Sequence, residues 1–347
     1  MRYRLLGRTG LRVSELFFGA MTFYERGGPD ALPEYRAMLD AYADAGGNVI
    51  DTASAYGESE DVLGELLTGR RDRFVVSTKY TLSRDRHDPN AAGNHRKNLV
   101  LSLENSLRRL RTDYIDLYWV HLWDRRTPIE ETMRALDDAV RAGKVLYVGI
   151  SDAPAWIVSQ ANTLAEWRGW TPFAGLQVPY NLLKRDIERE LLPMAEAFGM
   201  SVAAWGPLAG GVLSGKFTDA EAPGAGTRVD PSALTPRDHA VARAVRRVAD
   251  DLGATAAQVA IAWTRARSAA VHPIVGARDV KQLTENLGAA GVVLPEEAIR
   301  LLESAAGFEP GFPGDFIAEC EADPWVFGEA VAGLGGPGGG PGRSPAR

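Results

Sequence analysis

Short apolar runs and helix-period runs take turns eight times along this chain, and that alternation limits the fold more than any other feature. The strand-like runs are 16–21, 48–51, 74–79, 114–121, 145–151, 173–178, 201–205 and 273–275. Between them apolar residues recur at helical spacing, as Tyr35, Met38, Leu39 and Tyr42 do at i, i+3, i+4 and i+7. One of these helices is expected over 187–198 and another from Val280. Strands that are apolar throughout are buried on both faces, as parallel strands under crossover helices are. Eight such units with no break in composition predict a closed (β/α)8 TIM barrel, with an open doubly wound sheet as the alternative that periodicity leaves standing.

The ends of the chain and one long connection depart from the repeat. Residues 3–16 alternate on either side of Gly7-Arg8-Thr9-Gly10, a hairpin signal suited to a plug over one end of the sheet. A Gly- and Pro-rich loop over 216–236, then helices over 238–252 and 255–267, lengthen the connection between the seventh and eighth strands, as a functional lid would. A helix over 295–306 and a segment reaching residue 329 are expected on the outside, anchored by Trp325 and Phe327. Residues 1–330 read as one domain, whereas the Gly/Pro-rich 331–347 cannot bury apolar surface and read as a disordered tail.

The net charge of −6 argues against a nucleic-acid binder, and Arg70-Arg71-Asp72-Arg73 and Arg108-Arg109-Leu110-Arg111 read as solvated faces. The single cysteine, Cys320, excludes an intrachain disulfide framework and fits a reducing compartment. No run approaches the ~20 apolar residues of a membrane span, and the N-terminus has no apolar leader core. A cytoplasmic location is the expectation.

Two phosphate-loop patterns fail on context. Gly333-Leu334-Gly335-Gly336-Pro337-Gly338 lies in the tail with no strand before it, and Gly210 to Lys216 is followed by Phe217 where a Walker loop needs Ser or Thr. The informative residues stand at the strand ends: Asp51, Lys79, His121, Ser151 with Asp152, Gln177 and Trp205. Chemistry collects at the C-terminal ends of barrel strands. Taken singly, Asp51 reads equally as the cap of the next helix, Lys79 as a snorkelling surface residue and His121 as a satisfied core imidazole. Together with Tyr56 they form a proton-delivery set, in which a lysine ammonium is expected to lower the phenol's ordinary pKa of ~10 while His121 orients a carbonyl. None of these residues supplies a hydride, so a nicotinamide cofactor is implied. The five histidines show no close metal-ligand spacing, and no metal is expected.

At this point the chain resembles the aldo-keto reductases, nearest the branch of bacterial aryl-alcohol dehydrogenase-like enzymes and potassium-channel β subunits. The matching stretches are Leu6 to Ser14, Ile50-Asp51-Thr52-Ala53 through Tyr56-Gly57, Ser77-Thr78-Lys79, Asp116-Leu117-Tyr118 through His121, Gln177 to Asn181, Pro207 to Gly211, and Gly276-Ala277-Arg278 through Asn286. The resemblance implies a barrel that binds NADP(H) without a Rossmann motif, and a tetrad of Asp51, Tyr56, Lys79 and His121 with Tyr56 as the acid. It implies that Gly19, Ala20 and Met21 border the cofactor, that Ser151, Asp152 and Gln177 meet the nicotinamide carboxamide, and that Trp205 stacks on its ring. Gly206, Pro207, Leu208, Ala209, Gly210, Lys216 and Arg228 would line the pyrophosphate, with Gly276, Ala277, Arg278, Gln282, Glu285 and Asn286 at the adenosine end.

Three positions depart from the family pattern: Asp152 replaces a common Asn, Gly206 a common Ser, and Asp279 a common Ser or Thr beside the 2′-phosphate. Asp279 reads also as the N-cap of the helix from Val280. Phe23, Tyr24, Tyr80 and Trp123 follow strand ends and read either as an apolar substrate wall or as loop packing. The expected activity is NADPH-dependent reduction of a small aldehyde or ketone. The rivals are a cofactor-sensing subunit with weak catalysis and a Schiff-base aldolase using Lys79.

Overall fold

A computed structural model describes residues 1–24, 31–218, 229–322 and 324–328. Two compact units are distinguished, residues 1–307 and 308–347.

In the first unit, β1 (Tyr3–Leu5) and β2 (Arg12–Ser14) form an antiparallel hairpin. Eight further strands, β3 (Phe17–Gly19), β4 (Val49–Asp51), β5 (Val75–Tyr80), β6 (Ile115–Val120), β7 (Val145–Ser151), β8 (Phe173–Pro179), β9 (Ser201–Trp205) and β10 (Val271–Val275), pair in sequence order, and β10 closes on β3. Every pairing in this closed barrel is parallel. The fold is the (β/α)8 barrel with an N-terminal hairpin that the alternation predicts, and the open sheet is excluded.

Helices α1 (Leu32–Asp44), α2 (Ser59–Leu66), α3 (Arg96–Leu110), α4 (Ile129–Arg141), α5 (Ala155–Arg168) and α6 (Leu191–Ala197) connect successive strands. Between β9 and β10 lie two, α7 (Pro236–Leu252) and α8 (Ala256–Ala266), each opened by a capping box, Thr235 with Asp238 and Thr255 with Gln258. Helices α9 (Val280–Leu287) and α10 (Glu296–Ala306) follow β10. The single helix expected over 187–198 is broken into a 3-10 turn, Asp186–Glu188, and α6. The reason is Pro193: in a continuous helix its ring would meet the carbonyl four residues back, whereas in the first turn of α6 its missing N–H costs nothing.

Strand alternation sorts the barrel into two cores. Phe17, Val49, Val75, Leu117, Trp119, Ala203 and Ile274 point inward, where Leu6 and Val13 of the hairpin region join them. Phe18, Ile50, Val76, Tyr118 and Val120 point outward under the helices. The Trp119 indole fills the barrel interior where Gly149 and Gly175 leave room; a Cβ on Gly149 would lie 2.3 Å from its ring.

The second unit carries α11 (Gly314–Ala322) and α12 (Pro324–Phe327). Trp325, expected as an anchor, is 80% exposed, since a four-residue helix has no broad face to cover an indole. The Phe327 side chain and the tail 331–347 lie outside the described residues.

Candidate active site

Period-2 alternation along β5 sends Ser77 and Lys79 into the barrel mouth and Thr78 and Tyr80 toward the helices. Parallel pairing sets Asp51 beside Ser77 and Gly19 beside Asp51. Asp51 therefore meets a ring of donors: Lys79 Nζ at 2.5 Å from Oδ2, and Ser77 Oγ at 2.7 Å and Gln177 Nε2 at 3.0 Å from Oδ1. The ammonium also donates to the Thr52 carbonyl at 2.8 Å and has no exposed surface. Both partners are enclosed, so the pair is a strong local dipole rather than a screened surface bridge.

Tyr56 comes from the loop between β4 and α2, which is turned by Tyr56 N–H donating to the Ala53 carbonyl at 3.0 Å and by Gly57 in the left-handed region. Its ring centroid lies 5.0 Å from Lys79 Nζ, and His121 meets the ring edge-on at 5.8 Å. Burial raises the Tyr56 phenol above its ordinary range; Lys79 pulls it down and Asp51 pushes it up, and the net shift is upward. The expectation of a lowered phenol pKa is thus corrected, because desolvation of a phenolate outweighs the ammonium. For Lys79, burial works against the charge, but Asp51 and Tyr56 prevail and hold its pKa above the usual value. Burial, with Lys79 adding to it, lowers His121 to about 4, so its imidazole is neutral at physiological pH. Its buried Nδ1 has no hydrogen-bond partner among the described residues.

These side chains open onto a cleft of about 490 Å³. Its wall includes Gly19, Met21, Asp51, Tyr56, His121, Ser151, Asp152, Gln177 and Trp205, then Gly206, Pro207, Leu208, Gly210 and Lys216, and finally Gly276, Ala277, Arg278, Gln282 and Asn286. Lys79, bonded to Asp51 and near the Tyr56 ring, is not itself a lining residue. The lining also takes in Thr22, Gly211, Ser214, Phe217, Ile261, Ile274 and Val275, which the sequence reading missed. Ser214 lies within the Gly210–Lys216 run and Phe217 directly follows it, and Ile274 and Val275 precede Gly276 directly. Ile261, inside α8, carries no local signal.

Other expected residues fall elsewhere. Ala20 is buried and donates its N–H to the Asp51 carbonyl, and Ala209 and Glu285 do not line the cleft. Phe23 and Tyr80 are fully buried core: Phe23 stacks on Tyr35 at 4.3 Å, and Tyr80 on Tyr118 at 5.4 Å. Tyr80 follows Lys79 by one residue and so must face the other way. Trp123 meets Trp156 edge-on at 5.5 Å and is not a lining residue. The Tyr24 side chain and Arg228 lie outside the described residues.

The wall suits an elongated, anionic, ring-ended ligand. Gly206, Gly210 and Gly211 all have positive φ, and a Cβ at Gly206 or Gly211 would meet nothing within 4 Å, so bare backbone faces the cleft there beside Lys216. Backbone without side chains lets a phosphate approach closely. At one end Trp205, 40% exposed, offers a flat ring whose Nε1 donates to Asp152 at 3.3 Å. At the other, Asp279 caps α9 by accepting from Gln282 N at 2.8 Å, while Gln282 Oε1 accepts from Arg278 N at 2.9 Å.

Residues 15–306 match the aldo/keto reductase family. The chain belongs to that family. Among similar proteins, a putative aryl-alcohol dehydrogenase of Saccharomyces cerevisiae is 38% identical over 341 residues, which cover 92% of this chain and 91% of that one. A norsolorinic acid reductase of Aspergillus flavus is 39% identical over 333 residues, covering 91% and 84%. The aldo-keto reductase ausK of Emericella nidulans is 39% identical over 354 residues, covering 95% and 88%. As an aldo/keto reductase the chain is an NAD(P)H-dependent oxidoreductase that acts on carbonyl compounds. Among the described residues, no helix is long and apolar enough to cross a membrane.

Proposed function

We propose that this protein reduces an aromatic aldehyde or ketone to the alcohol with NADPH, Tyr56 delivering the proton. The observation that carries the reading is the fully buried Lys79 ammonium, bonded to Asp51 at 2.5 Å and set 5.0 Å from the Tyr56 ring at the mouth of the cleft. NADPH, when bound, supplies the hydride that the carbonyl carbon takes up.

Asp51 keeps Lys79 charged, and Lys79 in turn stabilises the phenolate left when Tyr56 gives its proton to the carbonyl oxygen. A phenol pKa raised by burial keeps Tyr56 protonated and ready to donate. Neutral His121 donates an N–H to the same oxygen and fixes its direction toward Tyr56. Trp205 and the residues around Ser151 and Gln177 hold the nicotinamide end of the cofactor, bare backbone from Gly206 to Gly211 with Lys216 holds the diphosphate, and Arg278 meets the 2′-phosphate. The aromatic substrate class rests on the names of the aryl-alcohol dehydrogenase and norsolorinic acid reductase relatives. A Schiff-base role for Lys79 is disfavoured, since a buried ammonium held charged by Asp51 is not a free amine nucleophile.

Turnover of a panel of aryl and alkyl carbonyls with NADPH tests the reading, alongside Tyr56→Phe. The variant is expected to lose on the order of 10²–10⁴ in kcat with NADPH affinity changed by less than a few-fold. Retained turnover removes Tyr56 from the chemistry. Tight NADPH binding by the wild-type protein without turnover of any carbonyl identifies a cofactor-sensing protein instead.

A further inference from the structure

We propose that Arg109 is a positioning residue that holds Tyr56 in register with Lys79 from outside the cleft; the proposal rests on the proton-donor role given to Tyr56 above. Arg109 lies near the end of α3 and touches neither the cleft nor any residue that lines it except through the Tyr56 loop. Its guanidinium brackets Tyr56 on both sides, donating through Nη1 to the Ser54 carbonyl at 3.4 Å and through Nη2 to the Gly57 carbonyl. The same group pairs with Glu60 Oε2 at 3.0 Å and with Asp61 Oδ2 at 2.7 Å, both in the first turn of α2.

The bracket does not end there. Glu60 is fully buried, and its other oxygen accepts from Thr78 Oγ1 at 2.6 Å. Thr78 immediately precedes Lys79, and the alternation that points Lys79 into the barrel mouth points Thr78 back toward Glu60. One chain of contacts, Ser54 and Gly57 to Arg109 to Glu60 to Thr78, therefore ties the loop bearing the phenol to the strand bearing the ammonium. Five donors in a fixed fork allow one guanidinium to reach two carbonyls and two carboxylates at once; a lysine ammonium cannot. The spacing of Tyr56 and Lys79 matters because proton transfer falls steeply with misplacement, on the order of 100-fold for 1 Å. Burial raises the phenol's pKa and the charged and titratable groups around it are Lys79, Asp51, His121 and Asp152; in a loop displaced from Lys79 with the phenol still buried, the ammonium's downward pull is what weakens.

The test compares wild type, Arg109→Met, Arg109→Lys, Thr78→Val and Tyr56→Phe. Arg109→Met is expected to lower kcat by roughly 10- to 100-fold while KM and NADPH Kd stay within about threefold. In the alcohol-oxidation direction, the limb set by Tyr56 ionisation should move to higher pH, and Arg109→Lys should recover only part of both effects. A loss of thermal stability with unchanged kcat and pH limb overturns the proposal, as does a change confined to KM. Should Arg109→Met fail to fold because Glu60 is left unpaired, Thr78→Val decides: the same pH displacement supports the bracket, and a wild-type profile overturns it. Turnover retained by Tyr56→Phe defeats the underlying reading, whereas an inactive Tyr56→Phe beside a wild-type-like Arg109→Met defeats this inference alone.

Discussion

At the scale of single residues, burial and charge compete, and which one prevails differs between neighbours. Lys79 has no exposed surface yet keeps its proton because Asp51 lies 2.5 Å away, while Tyr56, whose ring centroid lies 5.0 Å from the same ammonium, is moved upward by burial. Removing water from a phenolate costs more than one cation at ring distance returns. The opposite end of the cleft poses a second contest, between Arg278 and Asp279. Arg278→Ala should weaken NADPH binding by tenfold or more and leave NADH binding within about twofold, as equilibrium titration with both cofactors would register. Equal losses would remove the 2′-phosphate contact. Asp279→Ser keeps a hydroxyl able to cap α9 and deletes the carboxylate, so it should tighten NADPH relative to NADH without lowering the melting temperature.

At the scale of elements, a one-residue step along a strand separates function from packing. Lys79 faces the cleft and Tyr80 faces the helices, so an aromatic at a strand end is not evidence for a substrate wall. The same period places Trp119 inside the barrel against Gly149 and Gly175, whose missing side chains admit the indole. Gly149→Ala should therefore destabilise by roughly 1–3 kcal/mol, read as a lower urea midpoint at unchanged slope. An unchanged midpoint would mean that the indole shifts freely. The strands were legible in sequence because each is a bounded apolar run, and β7 and β9 coincide with the residues expected. Helix 187–198 was not, because apolar spacing continues through Pro193 and only its position in the turn decides whether it opens a helix or breaks one.

At the scale of the whole molecule, the buried His272 and the partly buried His121 link folding to pH. His272 stacks on Phe17 at 4.9 Å inside the barrel wall, with Nδ1 against the Ser14 carbonyl at 3.2 Å, and burial lowers its pKa to about 4, as it does for His121. Both fall below the unfolded value near 6.5, so the unfolded chain binds more protons between pH 6.5 and 4, and stability is lost as pH falls through that window. For fully buried His272 the loss by pH 5 is roughly 2 kcal/mol. Melting curves at pH 7.5 and pH 5 should show a smaller drop for His272→Phe than for wild type; an equal drop would assign the acid sensitivity to carboxylates.

The sequence by itself determined the eight β/α units and the residues at the strand ends, because apolar period and strand-end polarity are local properties of the chain. It placed Asp51, Lys79, His121, Gln177 and Trp205 at the mouth of one barrel once closure was assumed. Only the tertiary structure decided that the sheet closes, that Gln177 reaches across from β8 to Asp51 at 3.0 Å, and that Phe23 and Tyr80 belong to the core. It alone brought Arg109 of α3, part of an arginine cluster that reads as solvated, into contact with the loop of Tyr56 and with buried Glu60. Closure, burial and contacts between elements far apart in the chain depend on which surfaces meet, and neither spacing nor composition carries that information.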